Sequence, residues 1–296
     1  MTDRGMAGVG PNGASLPDGR PLRVLVTGGS GPSGIASVRA LLQAGFTVFT
    51  VGSDKARIEA AAERAGGATP LVCDLGDLAA VRELQQELAR TAGRIDGVIH
   101  LVGGWRGAQG ITSQTDEDWD FLERSAITTL RNVTRVFYDD LAVSPCGRFA
   151  MVSSTAVESP AAGVASYVAA KAAAEAWTMA VADGFRQDSQ APGTRADGGQ
   201  HSAAVVFVVK ALVDAGMRAK QPERKFPGYT DVGELAAAAV ELFSQPAAEL
   251  NGQRLLLAPA PADSTAQSDS TAQSDSTAQS DSTEQNAAST QNAATT

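Results

Sequence analysis

Seven short apolar runs recur between residues 22 and 258, and each but the last is followed by a segment whose apolar residues return at helical spacing. The runs are LRVLVTG (22–28), FTVFTVG (46–52), ATPLVCDL (68–75), IDGVIHLVGG (95–104), GRFAMVSS (147–154), SAAVVFVV (202–209) and GQRLLLA (252–258). They are apolar throughout, with little alternation, so both faces of each strand must be covered. Apolar strands joined by helices form a parallel sheet flanked by helices on both sides. The expected fold is a single doubly wound α/β domain with a parallel seven-stranded sheet. Such sheets bind ligands at the carboxyl ends of their strands. The helical segments carry their own punctuation: Gly45 closes the first, Asp54 caps the second, and Thr230 or Asp231 caps the last. The segment DEDWDFLERSAITTLRNVTRVFYDDLA (116–142) reads as one long helix.

Composition sets the boundaries of this domain. Residues 1–20 are polar and rich in Gly and Pro, and read as a flexible arm with no signal-peptide core. Residues 21–258, where the apolar runs and helical segments alternate, form the expected α/β domain. From 259 to 296 the chain repeats Asp-Ser-Thr-Ala-Gln-Ser and lacks any aliphatic residue larger than alanine, so this tail is expected to be disordered. The net charge is −9, and Asp263, Asp269, Asp275, Asp281 and Glu284 of the tail supply five of those charges. The remaining mild acidity argues against a nucleic-acid partner. No apolar run approaches the roughly 20 residues of a membrane span. Cys73 and Cys146 lie in or near apolar segments and are expected as buried, reduced thiols of a cytoplasmic protein. With only His100 and His201 present, there is little material for a metal site or a Ser-His-Asp triad, and no metal is expected.

Two constellations carry chemistry. The first apolar run ends in glycines and passes straight into a helix: VLVTGGSGPSGIASV (24–38). Gly29, Gly31 and Gly34 spell G-x-G-x-x-G, a modest signal by itself and a stronger one between a strand and a helix. A helix N-terminus offers unpaired N–H groups and a positive dipole end to a pyrophosphate. The alternative is a glycine turn that serves packing alone. The second constellation is Tyr167 and Lys171, spaced i, i+4 on one helix face, with Ser154 at the carboxyl end of the fifth run. An ammonium near a phenol is expected to lower the phenol pKa and suit it to proton transfer. His100, on a buried strand, reads as a satisfied core histidine. Trp105 and Arg106 sit in a strand-to-helix loop and read equally as substrate contacts or as packed surface.

With these residues in place the chain resembles the short-chain dehydrogenase/reductase family over about residues 21–258. TGGSGPSG resembles the family's glycine loop, CDL (73–75) its third-strand acidic motif, and GRFAMVSSTA its serine strand. SYVAAKAAAEAW resembles the active-site helix and ELNGQRLLL the last strand. The resemblance implies a Rossmann-type, NAD(P)-dependent oxidoreductase, with a small-molecule carbonyl or alcohol substrate and a homodimer or homotetramer as its assembly. It implies Tyr167 as acid/base, Ser154 as holder of the substrate oxygen and Lys171 on the nicotinamide ribose. It places Asp74 and Leu75 near the adenine, Gly103 on the adenosine side and Val213 near the carboxamide. The spacing T-G-x-x-G-x-x-G found among relatives fits Thr27, Gly28, Gly31 and Gly34, and puts Pro32 at the start of the helix, where a missing N–H is harmless. Departures also stand out. The family's Asn-Asn-Ala-Gly reads His100-Leu101-Val102-Gly103, the long-helix asparagine falls at Ala126, and the Pro-Gly after the sixth strand reads Lys210-Ala211. At the end of the second strand Gly52 and Ser53 replace the acidic residue that would hold the ribose of NAD. This leans the cofactor toward NADP, with Lys55 and Arg57 as phosphate partners. A non-catalytic cofactor-binding or scaffold protein of the same fold is the alternative. The substrate pocket is expected from loops near 104–118, 155–166 and 211–229.

Overall fold

The computed structural model describes residues 15–16, 19–191 and 199–257. The polar tail from 259 onward, most of the N-terminal arm and the centre of the polar stretch near 187–201 lie outside the described residues. At the end of the arm, Leu16 is buried and the Arg20 guanidinium pairs with buried Asp96 at 3.0 Å.

Every apolar run becomes a strand: β1 (Arg23–Thr27), β2 (Thr47–Gly52), β3 (Thr69–Val72), β4 (Gly97–His100), β5 (Gly147–Ser154) and β6 (Ser202–Val209). Two short strands, β7 (Leu212–Val213) and β8 (Thr230–Asp231), pair with each other, and β9 (Arg254–Leu256) closes the main sheet. The seven-stranded sheet is parallel throughout, in the order β3-β2-β1-β4-β5-β6-β9. The helices are α1 (Pro32–Gln43), α2 (Lys55–Ala65), α3 (Leu78–Thr91), α4 (Asp116–Leu122), α5 (Thr129–Val143), α6 (Ala165–Gln190), α7 (Ala215–Lys220), α8 (Val232–Glu241) and α9 (Ala247–Leu250). None of the described helices is long and apolar enough to cross a membrane.

Successive residues of each strand point to opposite faces, and both faces are packed. Val24 and Val26 join Val38 and Leu41 of α1 and Leu235 and Ala239 of α8 in one core. Leu25 joins Val81 and Leu84 of α3, Phe137 of α5 and Phe185 of α6 in the other. The alanines of α8 let that helix lie close on α1. Asp54, Asp77 and Asp231 cap α2, α3 and α8 through their carboxylates. Cys73 and Cys146 are buried and unpaired, and burial pushes the Cys73 thiol up to about 11.

The segment expected as one helix over 116–142 is continuous, but its hydrogen bonding widens to a π turn over Glu123–Thr128, between α4 and α5. Thr129 donates to the Ser125 carbonyl at 2.7 Å, and Thr128 bonds the Glu123 carboxylate. These hydroxyls compete with the backbone for its partners, which loosens a helix locally. Such turns concentrate at functional sites.

His100 ends β4 opposite Thr27 of β1. It is buried, and both ring nitrogens meet hydroxyls: Thr27 Oγ1 at 2.8 Å from Nδ1 and Thr129 Oγ1 at 3.3 Å from Nε2. Thr129 spends its proton on Ser125, so it accepts from Nε2–H, and Thr27 donates to Nδ1. The ring is therefore neutral, with burial and the nearby Lys171 charge holding its pKa down to about 3. Below pH 6.5 the unfolded chain binds a proton here that the folded chain refuses. The stability contributed by neutral His100 is thus full above about pH 6.5 and falls as pH drops toward 3. We expect urea midpoints of the wild-type chain to fall from pH 6.5 to 4 with an extra slope approaching about 1.4 kcal/mol per pH unit. His100→Asn removes that extra slope; parallel pH profiles for the two chains would contradict it.

Candidate active site

β1 is flanked by β2 on one side and β4 on the other, so the chain leaves the sheet in opposite directions here and a crevice opens beyond Thr27. The glycine turn fills this crevice. Gly28 takes φ +75°, and a Cβ there would stand 2.8 Å from the Leu101 carbonyl. The Gly29 amide donates to Val51, and a Cβ on Gly29 would overlap the Thr50 hydroxyl. A Cβ on Gly34 would lie 2.6 Å from the Gly28 oxygen. These three glycines are required by the turn itself. Gly31 is different: it caps α1 with φ −84°, and its Cβ would meet only the Gly28 oxygen at 3.7 Å. Pro32 is the first helical residue, as the T-G-x-x-G-x-x-G spacing implies. Behind it, the Ser33 and Gly34 amides have no acceptor within the helix.

Ser154, Tyr167 and Lys171 come together beside this turn. Ser154 ends β5, accepts the Ala156 amide at 3.2 Å, and lies close enough to Tyr167 for its hydroxyl to favour the phenolate. Tyr167 packs against the buried cluster of Leu122, Ala126 and Ala170, to which the π turn contributes Ala126. Lys171 is buried, donates to the Val152 carbonyl at 2.9 Å, and lies 6.0 Å from the Tyr167 ring centre. Gly103 passes close by, where a Cβ would be 3.4 Å from Nζ. The expected lowering of the phenol pKa is not found. Burial raises Tyr167, and the Ser154 hydroxyl only partly opposes it. Burial also pushes Lys171 down to about 8, against the pull of the Glu175 carboxylate. At rest the site holds a neutral phenol beside a lysine that is mostly protonated at pH 7.

The other anticipated residues are spread around this centre. Gly52 ends β2, where a side chain would meet the Ser30 hydroxyl at 2.7 Å, and Ser53 is exposed. Asp74, after β3, is exposed and paired with Arg124 at 2.7 Å. Leu75 is buried, and its carbonyl accepts from Asn132 at 3.0 Å. Val213 is buried in the separate β7–β8 sheet. Sequence reasoning missed Gln114, whose Oε1 accepts the Ser166 amide at 3.2 Å and whose Nε2 donates to Ala162 at 3.1 Å. Gln114 thereby caps α6 from the loop after β4, one residue before Tyr167. Glu175 was also missed. Its signal was the same i, i+4 spacing, continued one turn beyond Lys171.

The family model for short chain dehydrogenases matches residues 23–189. This chain belongs to the short-chain dehydrogenase/reductase family. It is 29% identical over 233 residues to the polyketide synthase GfsA of Streptomyces halstedii, covering 74% of this chain and 3% of that protein. It is 32% identical over 166 residues to the peroxisomal multifunctional enzyme type 2 of Mus musculus, covering 52% of this chain and 22% of that one. The chain thus spans a small part of the length of the curated relatives it matches. Among solved structures it resembles the short chain oxidoreductase of Pseudomonas aeruginosa PAO1, described as containing an atypical catalytic center. The apo form matches with a TM-score of 0.69 at 20% identity, over 82% of this chain and 97% of that one. The NADPH-bound form matches with a TM-score of 0.67 at 22% identity, over 79% and 94%. At such identities the likeness is one of fold.

The glycine geometry makes a direct prediction about stability. Gly34→Ala overpacks the turn and should cost about 1–3 kcal/mol. Gly31→Ser puts a good N-cap at an unstrained position and should stay within about 0.5 kcal/mol of wild type, or above it. Chemical denaturation of both variants checks this, and equal losses would show that Gly31 too is held by packing.

Proposed function

We propose that this chain transfers a hydride between a nicotinamide cofactor, NADP(H) in preference to NAD(H), and a small-molecule carbonyl or alcohol, with Tyr167 as acid/base. The observation that carries the reading is the convergence of Ser154, Tyr167 and Lys171 at the carboxyl edge of the sheet, next to a glycine turn with spare room at Gly31. The chain's residues suit a dinucleotide. Thr27, Gly28, Gly31 and Gly34 shape the turn, the first amides of α1 lack acceptors within the helix and would serve a phosphate, and the missing side chain at Gly103 would leave room beside Lys171 for the ribose. When bound, the nicotinamide supplies or accepts the hydride. Tyr167 gives its proton to the carbonyl oxygen during reduction and takes it back during oxidation. Ser154 donates a hydrogen bond to the same oxygen and so stabilises the charge that develops there. Lys171 stabilises the phenolate left behind and holds the ribose. The NADPH-bound neighbour supports this cofactor class. The preference for NADP(H) rests on β2. No acidic side chain fits at Gly52, and Asp54 is committed to capping α2 through the Arg57 amide at 2.8 Å. Ser53 with the exposed Lys55 and Arg57 remains available for a phosphate. Asp74 and Leu75 would flank the adenine, and Val213 would lie toward the carboxamide.

Two variants test the reading through NADPH absorbance with a panel of ketones and aldehydes. Tyr167→Phe should lower turnover by at least about 100-fold while NADPH affinity is kept. NADPH binding without turnover, unchanged in this variant, would leave a nucleotide-binding protein rather than an enzyme. Gly31→Val should weaken NADPH binding far more than Pro32→Ala. Equal effects would place the close approach elsewhere in the turn, and absence of binding by the wild type would reduce the turn to packing.

A further inference from the structure

One buried ionic group near the Ser-Tyr-Lys centre has no part in the reaction as proposed. Glu175 follows Lys171 by one helical turn, so Tyr167, Lys171 and Glu175 line one face of α6. Its residue is only 8% exposed. An ionised carboxylate at that depth requires partners, and each of its oxygens has one. Ser153 donates to Oε1 at 2.5 Å, and Arg254 Nε donates to Oε2 at 2.8 Å, with Nη2 at 3.4 Å from Oε1. Ser153 immediately precedes Ser154. Arg254 belongs to the edge strand β9, and its Nη1 grips Glu158, just beyond the turn that follows Ser154. A single guanidinium therefore ties together the two elements that present the hydroxyl pair: the end of β5 with its following turn, and α6.

We propose that Glu175 and Arg254 are positioning residues of the Tyr167–Lys171 centre, the carboxylate keeping Lys171 protonated and the guanidinium locking α6 to the Ser154 segment. This rests on the reading of Tyr167 and Lys171 given above. The charge part follows from what surrounds Lys171. Among the described residues, its titratable neighbours are Tyr167 and Glu175 on α6 and His100 on β4. The phenol and the imidazole are neutral, which leaves Glu175 as the counter-charge to an ammonium that burial disfavours. Arg254 holds that carboxylate from its far side, and Ser153 fixes its orientation.

The test is a titration that needs no substrate. The chain's five lysines are Lys55, Lys171, Lys210, Lys220 and Lys225. In the full-length protein carrying ¹³C-labelled lysine, their Cε resonances can be followed against pH, with Lys171 assigned by its loss in Lys171→Arg. The wild-type Lys171 midpoint should lie near 8, and Glu175→Gln should lower it by on the order of one unit. A folded Glu175→Gln protein with an unmoved midpoint overturns the proposal. Should the single variant not fold, Glu175→Gln with Arg254→Gln removes both charges of the pair, so that the Arg254 guanidinium is not left without its buried carboxylate. Its Lys171 midpoint should fall as well, and an unmoved one counts equally against the proposal. The alkaline limb of NADPH-dependent carbonyl reduction should shift to lower pH with the midpoint, which a loss of packing alone would not produce. A wild-type chain that reduces no carbonyl would defeat the catalytic reading, while the lysine titration would still judge the pair.

Discussion

The parallel pairing of β1 with β4 is the constraint on which the rest of the site depends. Consecutive strands leave β1 in opposite directions, so the crevice exists only while these two strands stay in register through Val24–Gly97 to Thr27–His100. The register is held at its open end by side chains as well as by the ladder. Thr27 and Thr129 clamp His100, and the Leu101 amide donates to the Thr27 carbonyl at 3.0 Å. The close approach of Gly28 to Leu101 follows directly, since any Cβ would push the two strand ends apart. A slip of one residue would turn His100 toward the opposite core and break both hydroxyl contacts. The same clamp reaches the start of α5 through Thr129, so the π turn that precedes α5 is tied to this junction.

Much of this architecture was legible because it follows from short-range patterns. Apolar runs covered on both faces marked the seven strands of the main sheet, and Asp54 and Asp231 marked helix starts through their own local bonds. Pro32 was readable as a first helical residue for the same reason. The pairs β7–β8 and the short helices α7 and α9 were not legible, since two to six residues are too few to show a period. The π turn was missed because it arises from hydroxyl bonds of Thr128 and Thr129 inside a segment whose apolar spacing is ordinary. The site divides in the same way. Tyr167 and Lys171 announce themselves at i, i+4, whereas Gln114 meets Ser166 across 52 residues and Arg254 meets Glu175 across 79. Only the folded sheet brings such partners together.

The electrostatics show why residue identity alone misjudged the phenol. A lysine four residues from a tyrosine lowers its pKa only if the ammonium's field outweighs the cost of burying a phenolate. Here the ammonium lies 6.0 Å from the ring centre and spends a hydrogen bond on Val152, while burial acts on both groups. Burial disfavours each charged form, so Tyr167 moves up and Lys171 moves down. The cluster that Tyr167 packs against, Leu122, Ala126 and Ala170, is apolar and adds to that burial.

A neutral phenol at rest has a consequence for the proposed reaction. In that reaction a phenol that burial keeps neutral would be ready for carbonyl reduction, where its proton would go to an oxygen gaining negative charge. Alcohol oxidation instead needs the phenolate, which the free site disfavours by desolvation. Positive charge nearby is what offsets that cost, and a protonated Lys171 is where the site keeps it. On the reading proposed above, the carboxylate of Glu175, held by Arg254 at the sheet edge, would bear on the direction in which the centre works. Retaining charge on Lys171 narrows the gap between the two directions, and losing it would leave a site suited to giving protons and poor at taking them back.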